Sequence, residues 1–200
     1  VKPTHAPRAG EEIEITFPEA RPAEAQPEEI PLDILFEDKS LLVLNKPGDI
    51  VCHPSKNGPW SSLVGACREH LQLPRVHMIY RLDRETSGLM VFARTIAAES
   101  ALGKQFRAHE LDRHYIGVCV GDCPAGTFES WLIEDRGDGR RGSTHFPGQG
   151  KRAITHVTVL ERLPGYTVVQ CRLETGRTHQ IRIHLSEAGH PLCGDRVYRG

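Results

Sequence analysis

The distribution of short strand-like runs along the chain is the feature that most constrains its fold. Apolar and β-branched residues are concentrated in these runs, and turn-forming residues separate them. The runs are Leu41–Asn45, Leu89–Ala93, Tyr115–Val120, Phe128–Ile133, Ile154–Leu160 and Thr167–Leu173. Helical patterns are fewer, and two of them cover Ser62–Leu71 and, behind a Thr95 cap, Ile96–Ala108. This order favours an α+β domain with a largely antiparallel mixed central sheet flanked by helices.

A third helix is predicted near the carboxyl end, from about His179 to Ala188. Thr178 can cap its first turn, Gly189 can end it in the left-handed conformation, and Pro191 cannot continue it. Polar residues at every second position would also fit a strand, but the glycine and proline stop signals favour the helix.

On this helix, Ile181, Leu185 and Ala188 share the face that we expect to be buried. Arg182 lies on a different side, near the amino-terminal half of the helix. From there a long cationic side chain can reach across a cleft toward a carboxylate on another element.

A carboxylate between two guanidinium groups marks the loop before the second apolar run. The segment Arg81–Gly88 places Asp83 between Arg81 and Arg84. Guanidinium groups favour the ionised form of a carboxylate and also bind phosphate, so the loop combines a potential nucleophile with a clamp for a polyanion. This combination suggests chemistry on RNA. A surface turn with a salt bridge has the same pattern, and the loop alone does not distinguish the two.

Taken together, these segments resemble an RNA pseudouridine synthase of the RluA type. The central family motif stands here as Arg81–Gly88, and the carboxyl-side motif as Gly176–Asp195. Further matches are Glu37-Asp38, Lys46-Pro47, His53-Pro54 and Tyr115. The matches are collinear over roughly residues 30 to 200, and ordered motifs at family spacing are far more specific than any one alone.

The resemblance implies a role for individual residues. Asp83 corresponds to the essential catalytic aspartate, Tyr115 to the tyrosine that packs against the target base, and Arg182 to the arginine that pairs with the aspartate. Arg81 corresponds to the residue that helps to fill the gap left by the extruded nucleotide. The residues expected to contact RNA are Arg81, Arg84, Lys46 and Arg177. Lys46 and Pro47 are also expected to shape the floor of the site.

The implied reaction is the isomerisation of specific uridines in ribosomal or transfer RNA. The bond from the base nitrogen to the sugar is cut, the uracil turns, and it is rejoined through carbon five. No cofactor and no metal are required, and the nucleotide must leave its stack to reach the aspartate. The alternative is a catalytically silent RNA-binding module of the same fold.

Two departures from the family pattern lie close to the motifs. Tyr80 stands where the family usually has histidine, which removes any contact that needs an imidazole there. Gly48-Asp49 follows Lys46-Pro47 where a small residue and glycine are usual. Aspartate tolerates a left-handed turn better than most residues, so the loop is expected to survive this change.

The chain is predicted to divide near residue 30. Residues 1–30 are rich in Pro, Glu and Ala, with one alternating strand at Ile13, Ile15 and Phe17. We expect them to form the trailing edge of an amino-terminal RNA-binding domain followed by a linker. Residues 31–200 are expected to form the catalytic domain. Its carboxyl end is expected to be truncated, because family members usually continue well past the Gly194–Tyr198 segment.

Charge and composition are compatible with an RNA partner. The formal net charge is −1, which lacks the basic excess typical of a nucleic-acid binder. However, residues 1–40 hold 10 acidic and 4 basic side chains, whereas residues 41–200 hold 16 acidic and 21 basic ones. The catalytic region is thus mildly basic, and we expect a modest salt dependence of RNA binding.

The remaining sequence signals concern location, cysteines and loops. No apolar run is long enough for a membrane span, and the scattered cysteines suit free thiols, so we expect a cytoplasmic protein, by default a monomer. Zinc-ligand readings of the Cys119/Cys123 pair or of the late histidines lack a recognised spacing. The glycine-rich and basic segment Asp135–Arg152 is expected to be a flexible loop that either orders on RNA or forms a solvated hairpin tip.

Overall fold

Two antiparallel sheets form the framework of the protein, as seen in a computed structural model. The structure describes residue 10 and residues 24–54, 61–108 and 111–198. The strand predicted at Ile13–Phe17 lies outside these residues. The first sheet contains β1 (Asp33–Glu37), β2 (Leu41–Lys46), β3 (His77–Met78) and β4 (Gly88–Ala93), in the order β1-β2-β4-β3. All of its named strand pairs are antiparallel.

The second sheet is larger and follows the first in the chain. It contains β5 (His114–Val120), β6 (Gly126–Ile133), β7 (Gly142–Thr144), β8 (Lys151–Leu163) and β9 (Tyr166–Leu173). The strand order is β5-β9-β8-β6-β7, and each pair is again antiparallel. The six predicted strands are therefore confirmed. β7 lies within the segment expected to be a flexible loop, and it pairs with β6 instead.

The first two helices begin behind hydroxyl-bearing N-caps, of which Thr95 was predicted as a cap and Ser62 was expected to lie inside its helix. α1 (Leu63–Leu71) begins behind Ser62, whose side chain accepts a hydrogen bond from the N–H of Gly65. α2 (Ile96–Arg107) begins behind Thr95, whose side chain accepts one from the N–H of Ala98. In both cases the hydroxyl satisfies a backbone donor that the first helical turn leaves unpaired.

The third helix, α3 (Gln180–Glu187), confirms the choice of helix over strand but corrects its beginning and its buried face. The residue at the N-cap position is His179, in the left-handed conformation, and not Thr178. Gly189 adopts the predicted positive φ, 83°. Ala188 is exposed, whereas Ile183 and Leu185 are buried, because α3 ends one residue before Ala188.

Each sheet buries its own apolar cluster. The first cluster lies between the first sheet and α1, and includes Leu42, Leu44, Leu63 and Phe92. The second lies between the second sheet and α3, and includes Val169, Cys171 and Leu185. The α3 side chains on the opposite side of that helix are left free to face the loop between β3 and β4.

The segment 24–31, part of the predicted linker, packs along α1. Ala25 is buried in the first cluster, and its carbonyl accepts a hydrogen bond from Arg68. The N–H of Glu28 donates to the carbonyl of Gly65 at 3.4 Å. This stretch is therefore part of the folded structure around the first sheet.

The states of the cysteines and the lengths of the helices can be compared with the sequence predictions. All six cysteines are free, and all but Cys193 are buried. Burial raises the pKa of Cys67 and Cys171 to about 12, which keeps both thiols protonated at neutral pH. Among the helices that the structure describes, none combines the length and the apolar character needed to cross a bilayer.

Candidate active site

The loop between β3 and β4 presents Asp83 in a tight turn. The carbonyl of Asp83 accepts a hydrogen bond from the N–H of Thr86 at 3.1 Å, and β4 begins shortly afterwards at Gly88. Gly88 has a φ of 121°, a conformation that a residue with a Cβ adopts only under strain. The turn leaves the Asp83 side chain only 25% exposed.

Lys46, at the end of β2, stabilises this turn by a hydrogen bond to the carbonyl of Arg84. Its side chain is 0% exposed, and its ammonium group donates to the carbonyls of Pro47, Ile50 and Arg84 at 2.7, 3.0 and 2.9 Å. Burial lowers the pKa of Lys46 below its ordinary value. Because all three donors are used inside the protein, an RNA contact by Lys46 does not fit this environment. Lys46 instead joins the loop after β2 to the Asp83 loop.

Arg182 on α3 reaches the Asp83 side chain although the two residues are 99 positions apart. Its Nη1 donates to Oδ2 of Asp83 at 3.2 Å. The helix geometry explains this contact, since Ile183 and Leu185 turn into the protein core while Arg182 points toward the loop. The structure thus brings together two of the three residues to which the resemblance assigns catalytic roles.

A second carboxylate, Asp195, holds the same guanidinium group. Nε and Nη2 of Arg182 donate to the two oxygens of Asp195 at 2.7 and 2.9 Å. Oδ1 of Asp195 also accepts from the backbone N–H groups of Val197 and Tyr198. Burial alone would raise the pKa of Asp195, but these donors outweigh it and lower that pKa to about 2.

Tyr198 contacts both Arg182 and His179. Its ring lies beside the Arg182 guanidinium, with the guanidinium carbon 5.0 Å from the ring centroid. Its hydroxyl lies 2.7 Å from Nδ1 of His179, and Nε2 of His179 lies 3.8 Å from Oδ2 of Asp83. The turn 195–198 therefore contacts both residues that face Asp83.

Tyr115, on the edge strand β5, occupies the same neighbourhood. It pairs with Cys171 of the neighbouring strand β9 and is partly buried against the second apolar cluster. Burial raises the pKa of Tyr115, the cation of Arg113 opposes this shift, and the negative charge of Asp83 adds to it. The phenol therefore stays neutral beside the charged pair, as an aromatic face needs to be if it packs on a base.

Three cationic residues expected to contact RNA have exposed side chains. Arg81 and Arg84 flank Asp83, and Arg177 precedes α3. Nε of Arg84 donates to the carbonyl of Asp49 at 3.1 Å, and Nε of Arg177 to that of Arg152 at 3.3 Å. Each keeps part of its guanidinium available for a phosphate.

Both departures from the family pattern are accommodated. Tyr80 stacks on Phe106 with ring centroids 4.8 Å apart, and its hydroxyl donates to the carbonyl of Leu89 at 2.7 Å. Asp49 adopts the left-handed conformation with a φ of 67°, as expected for that loop. Both residues thus help to shape the surroundings of the Asp83 turn.

The sequence did not predict the contacts of Asp195, Tyr198 and His179 around Arg182 and Asp83, although Asp195 and His179 lie in the carboxyl-side motif Gly176–Asp195. Asp195 and Tyr198 belong to the Gly194–Tyr198 segment. Their acidic and phenolic side chains, at a fixed spacing after a helix carrying Arg182, were the available signal. Within the described residues, no group of three or more His, Cys, Asp or Glu side chains is arranged to hold a metal ion.

The described residues thus combine an aspartate paired with an arginine, a tyrosine near that aspartate, and two antiparallel sheets. The sequence profile of the family described as RNA pseudouridylate synthase matches residues 40–187, and the chain belongs to that family. This finding confirms the family that the motifs predicted.

Two curated relatives show which members of the family the chain is similar to. Ribosomal large subunit pseudouridine synthase D of Xylella fastidiosa (strain Temecula1) is 39% identical over 205 residues, covering 100% of this chain and 61% of the relative. The protein of the same name from Neisseria meningitidis serogroup A is 42% identical over 199 residues, covering 94% of this chain and 52% of the relative. The chain thus spans less than two thirds of the length of these relatives.

Solved structures agree with this placement. Human RNA pseudouridylate synthase domain containing 4 superposes with a TM-score of 0.68 at 27% identity, over 83% of this chain and 68% of that one. Human RNA pseudouridylate synthase domain containing 1 gives 0.71 at 25% identity, over 85% and 70%.

Proposed function

We propose that this protein isomerises specific uridines in ribosomal RNA to pseudouridine. The observation that carries the proposal is the contact of Asp83 with Arg182 beside Tyr115, on a chain that belongs to the RNA pseudouridylate synthase family. Ribosomal RNA is favoured over transfer RNA because the curated relatives are named ribosomal large subunit pseudouridine synthases. A cytoplasmic location follows from that substrate.

In this proposal Asp83 is the catalytic carboxylate. Its side chain is only 25% exposed, and Arg182 donates to its Oδ2. From this position it acts on the sugar or the uracil as a nucleophile or a base. The isomerisation needs no redox step and no added group, so the residues of the chain supply the chemistry.

Tyr115 and the exposed arginines have binding roles in the same proposal. A flipped uracil packs against the neutral phenol of Tyr115, while the RNA backbone is held by Arg81, Arg84 and Arg177. Extrusion of the nucleotide costs unstacking energy, and arginines on both sides of Asp83 are placed to offset that cost through phosphate contacts and by filling the gap.

The test is to incubate the protein with unmodified ribosomal RNA and to map new pseudouridines by sequencing. The wild type is expected to modify a small set of uridines, and Asp83→Asn none of them. The same new pseudouridines in both maps would remove Asp83 from the catalytic role, and no new pseudouridine in either map would refute the proposal and favour a silent RNA-binding module. A transfer RNA transcript in parallel distinguishes the two substrates, and light scattering tests the expected monomer.

A further inference from the structure

His179 adopts a backbone conformation that few non-glycine residues take. Its φ is 60° and its ψ 19°, directly before α3, and its side chain makes no capping hydrogen bond to the helix. Left-handed non-glycine residues are strained, and they cluster at functional sites where the surroundings enforce them. Helix capping does not explain this conformation, so the contacts of the imidazole are the remaining candidates.

The imidazole of His179 lies between two groups of the site. On one side, Nδ1 is 2.7 Å from the hydroxyl of Tyr198, and the rings meet edge to face at 5.5 Å. On the other side, Nε2 is 3.8 Å from Oδ2 of Asp83. This last distance exceeds a hydrogen bond by under 1 Å, a gap of the kind that closes when an active site binds its ligand.

The two neighbours fix where the ring carries its proton. A neutral imidazole has one donor nitrogen and one acceptor nitrogen. If the phenol of Tyr198 donates to Nδ1, the proton of His179 lies on Nε2 and points at the carboxylate of Asp83. The opposite tautomer would direct a lone pair at that negative charge, which is unfavourable.

We propose that His179 is a positioning residue that orients the Asp83 carboxylate through an Nε2–H donor, with its tautomer set by Tyr198. This inference rests on the proposed function, because it assigns Asp83 the catalytic role. The oxygen it addresses, Oδ2, is the one that accepts from Arg182. With both donors on Oδ2, the second carboxylate oxygen remains available for the nucleotide.

The surroundings keep His179 neutral. Burial lowers the pKa of His179 below its ordinary value, and the neighbouring charges partly cancel, since the carboxylates raise it and the guanidinium groups lower it. The titratable and charged groups that face the ring are Asp83, Arg141, Arg182, Asp195 and Tyr198. Protonation at low pH would place a further cation beside Asp83 and weaken its carboxylate as a nucleophile or base.

Nuclear magnetic resonance of the full chain labelled with ¹⁵N-histidine tests the contact without RNA. We expect the Nε2–H tautomer for His179 in the wild type at pH 7.5, and a mixture of tautomers in Tyr198→Phe, which lacks only the hydroxyl. A wild-type spectrum with the proton on Nδ1 overturns the inference. This measurement stands even if the protein forms no pseudouridine, so the two proposals fail separately.

Kinetics test the positioning role. We expect His179→Asn to lower kcat about 10-fold to 100-fold, as for outer-shell groups that orient a reactive residue, with KM little changed. Asparagine tolerates the left-handed backbone, and His179→Gly keeps it while removing the ring, so both variants should lose activity alike. His190→Asn is the matched control, because the ring of that histidine hydrogen-bonds to the carbonyl of Val120 and has no assigned part in the Asp83 cluster, so kcat should stay unchanged.

The pH profile separates positioning from mere support of the fold. In the wild type, kcat is expected to fall as His179 becomes protonated. In His179→Asn this titration is gone, so the acid limb should move to lower pH, set by the remaining groups. A variant with wild-type kcat, or with a reduced kcat on an unshifted profile, contradicts the inference.

Discussion

Arg182 serves two carboxylates, and the geometry shows which of them fixes its position. The contacts to Asp195 are bidentate, at 2.7 and 2.9 Å, whereas the single contact to Asp83 is 3.2 Å long. Paired, parallel N–H donors restrict a guanidinium group far more than one donor does. Asp195 therefore holds Arg182 in place, and the remaining Nη1 is directed at Asp83.

Replacing Asp195 by asparagine should separate this role from support of the turn. The amide oxygen can still accept from the N–H groups of Val197 and Tyr198, but the charge that holds Arg182 is lost. We expect kcat to fall about 10-fold to 100-fold, as when other orienting partners are removed. The measurement is single-turnover pseudouridine formation. Asp138→Asn breaks a similar but exposed pair with Arg136 and should have no effect.

The same carboxylate should make stability depend on pH in acid. The pKa of Asp195 is lowered to about 2 in the folded protein, below its unfolded value, so its stabilisation is complete above that unfolded value. It is lost as the pH falls from about 4 to about 2, and amounts to about 2 kcal/mol. Urea unfolding at pH 6 and pH 3 measures about half of this loss, about 1 kcal/mol. An equal loss of stability in Asp195→Asn over this interval would contradict the assignment.

At the scale of elements, the sequence was informative where a pattern was long. The six predicted strands and the Thr95 cap of α2 are confirmed because apolar runs and capping residues are local signals. The strands β1, β3 and β7 were missed, since 5, 2 and 3 residues give little periodicity. The start of α3 was wrong because the left-handed His179 responds to contacts with distant residues, which no local pattern records.

In the candidate site, too, some residues were predicted from the sequence and others were not. Asp83, Tyr115 and Arg182 were predicted as site residues because they match positions in the motifs of the family that the chain resembles. The residues that hold these side chains in place were not predicted, since Asp195 contacts Arg182 only after the turn that follows α3 has folded back against the helix. The burial of Lys46 was equally unreadable, because its three carbonyl partners come from two separate loops.

Two helical glycines should respond oppositely to alanine. At Gly65 of α1, a Cβ would overlap the backbone carbonyl of Gln26, which cannot move without detaching the segment 24–31. We expect Gly65→Ala to destabilise the fold by about 1 to 3 kcal/mol. At Gly103 of α2, a Cβ would meet only the flexible side chain of Arg107, so Gly103→Ala should stabilise by about 0.5 to 1 kcal/mol. Thermal unfolding midpoints compare the two, and shifts of the same sign would refute this packing argument.

Removal of the buried ammonium group should loosen two loops together. Lys46→Met keeps the apolar stem but leaves the carbonyls of Pro47, Ile50 and Arg84 without their donor. Unpaired buried acceptors cost about 1 to 3 kcal/mol each, and relief of a buried charge offsets part of this, so a net loss of about 3 kcal/mol is expected. Denaturant unfolding measures the loss. The exposed Lys39→Met is the control and should change stability by less than about 0.5 kcal/mol.

At the scale of the whole molecule, charge is separated along the chain. Acidic residues are concentrated in residues 1–40, while residues 41–200 carry an excess of basic side chains. The exposed arginines around Asp83 lie on the loop before β4 and the segment before α3, and these two segments meet at the Asp83–Arg182 contact. The proposed RNA contacts thus depend on cationic side chains close to Asp83 and not on the net charge of the chain, which is −1.

This arrangement predicts a shallow salt dependence that a few arginines determine. Each phosphate contact to single-stranded RNA contributes about 0.7 to the slope of log K against log salt, so Arg81, Arg84 and Arg177 together should give a slope of about −2. Changing any one of them to Gln should weaken binding and reduce the slope by about 0.7. The slope is measured by fluorescence anisotropy with an RNA hairpin from 50 to 300 mM salt, roughly the range where such slopes are determined.

Arg162→Gln is the matched control. Arg162 is exposed and pairs with Asp122 near the turn between β8 and β9. This turn lies at the opposite end of the two strands from Thr155, which contacts α3. If Arg162→Gln lowered the slope as much as Arg81→Gln, binding would depend on overall charge and not on the rim of the site.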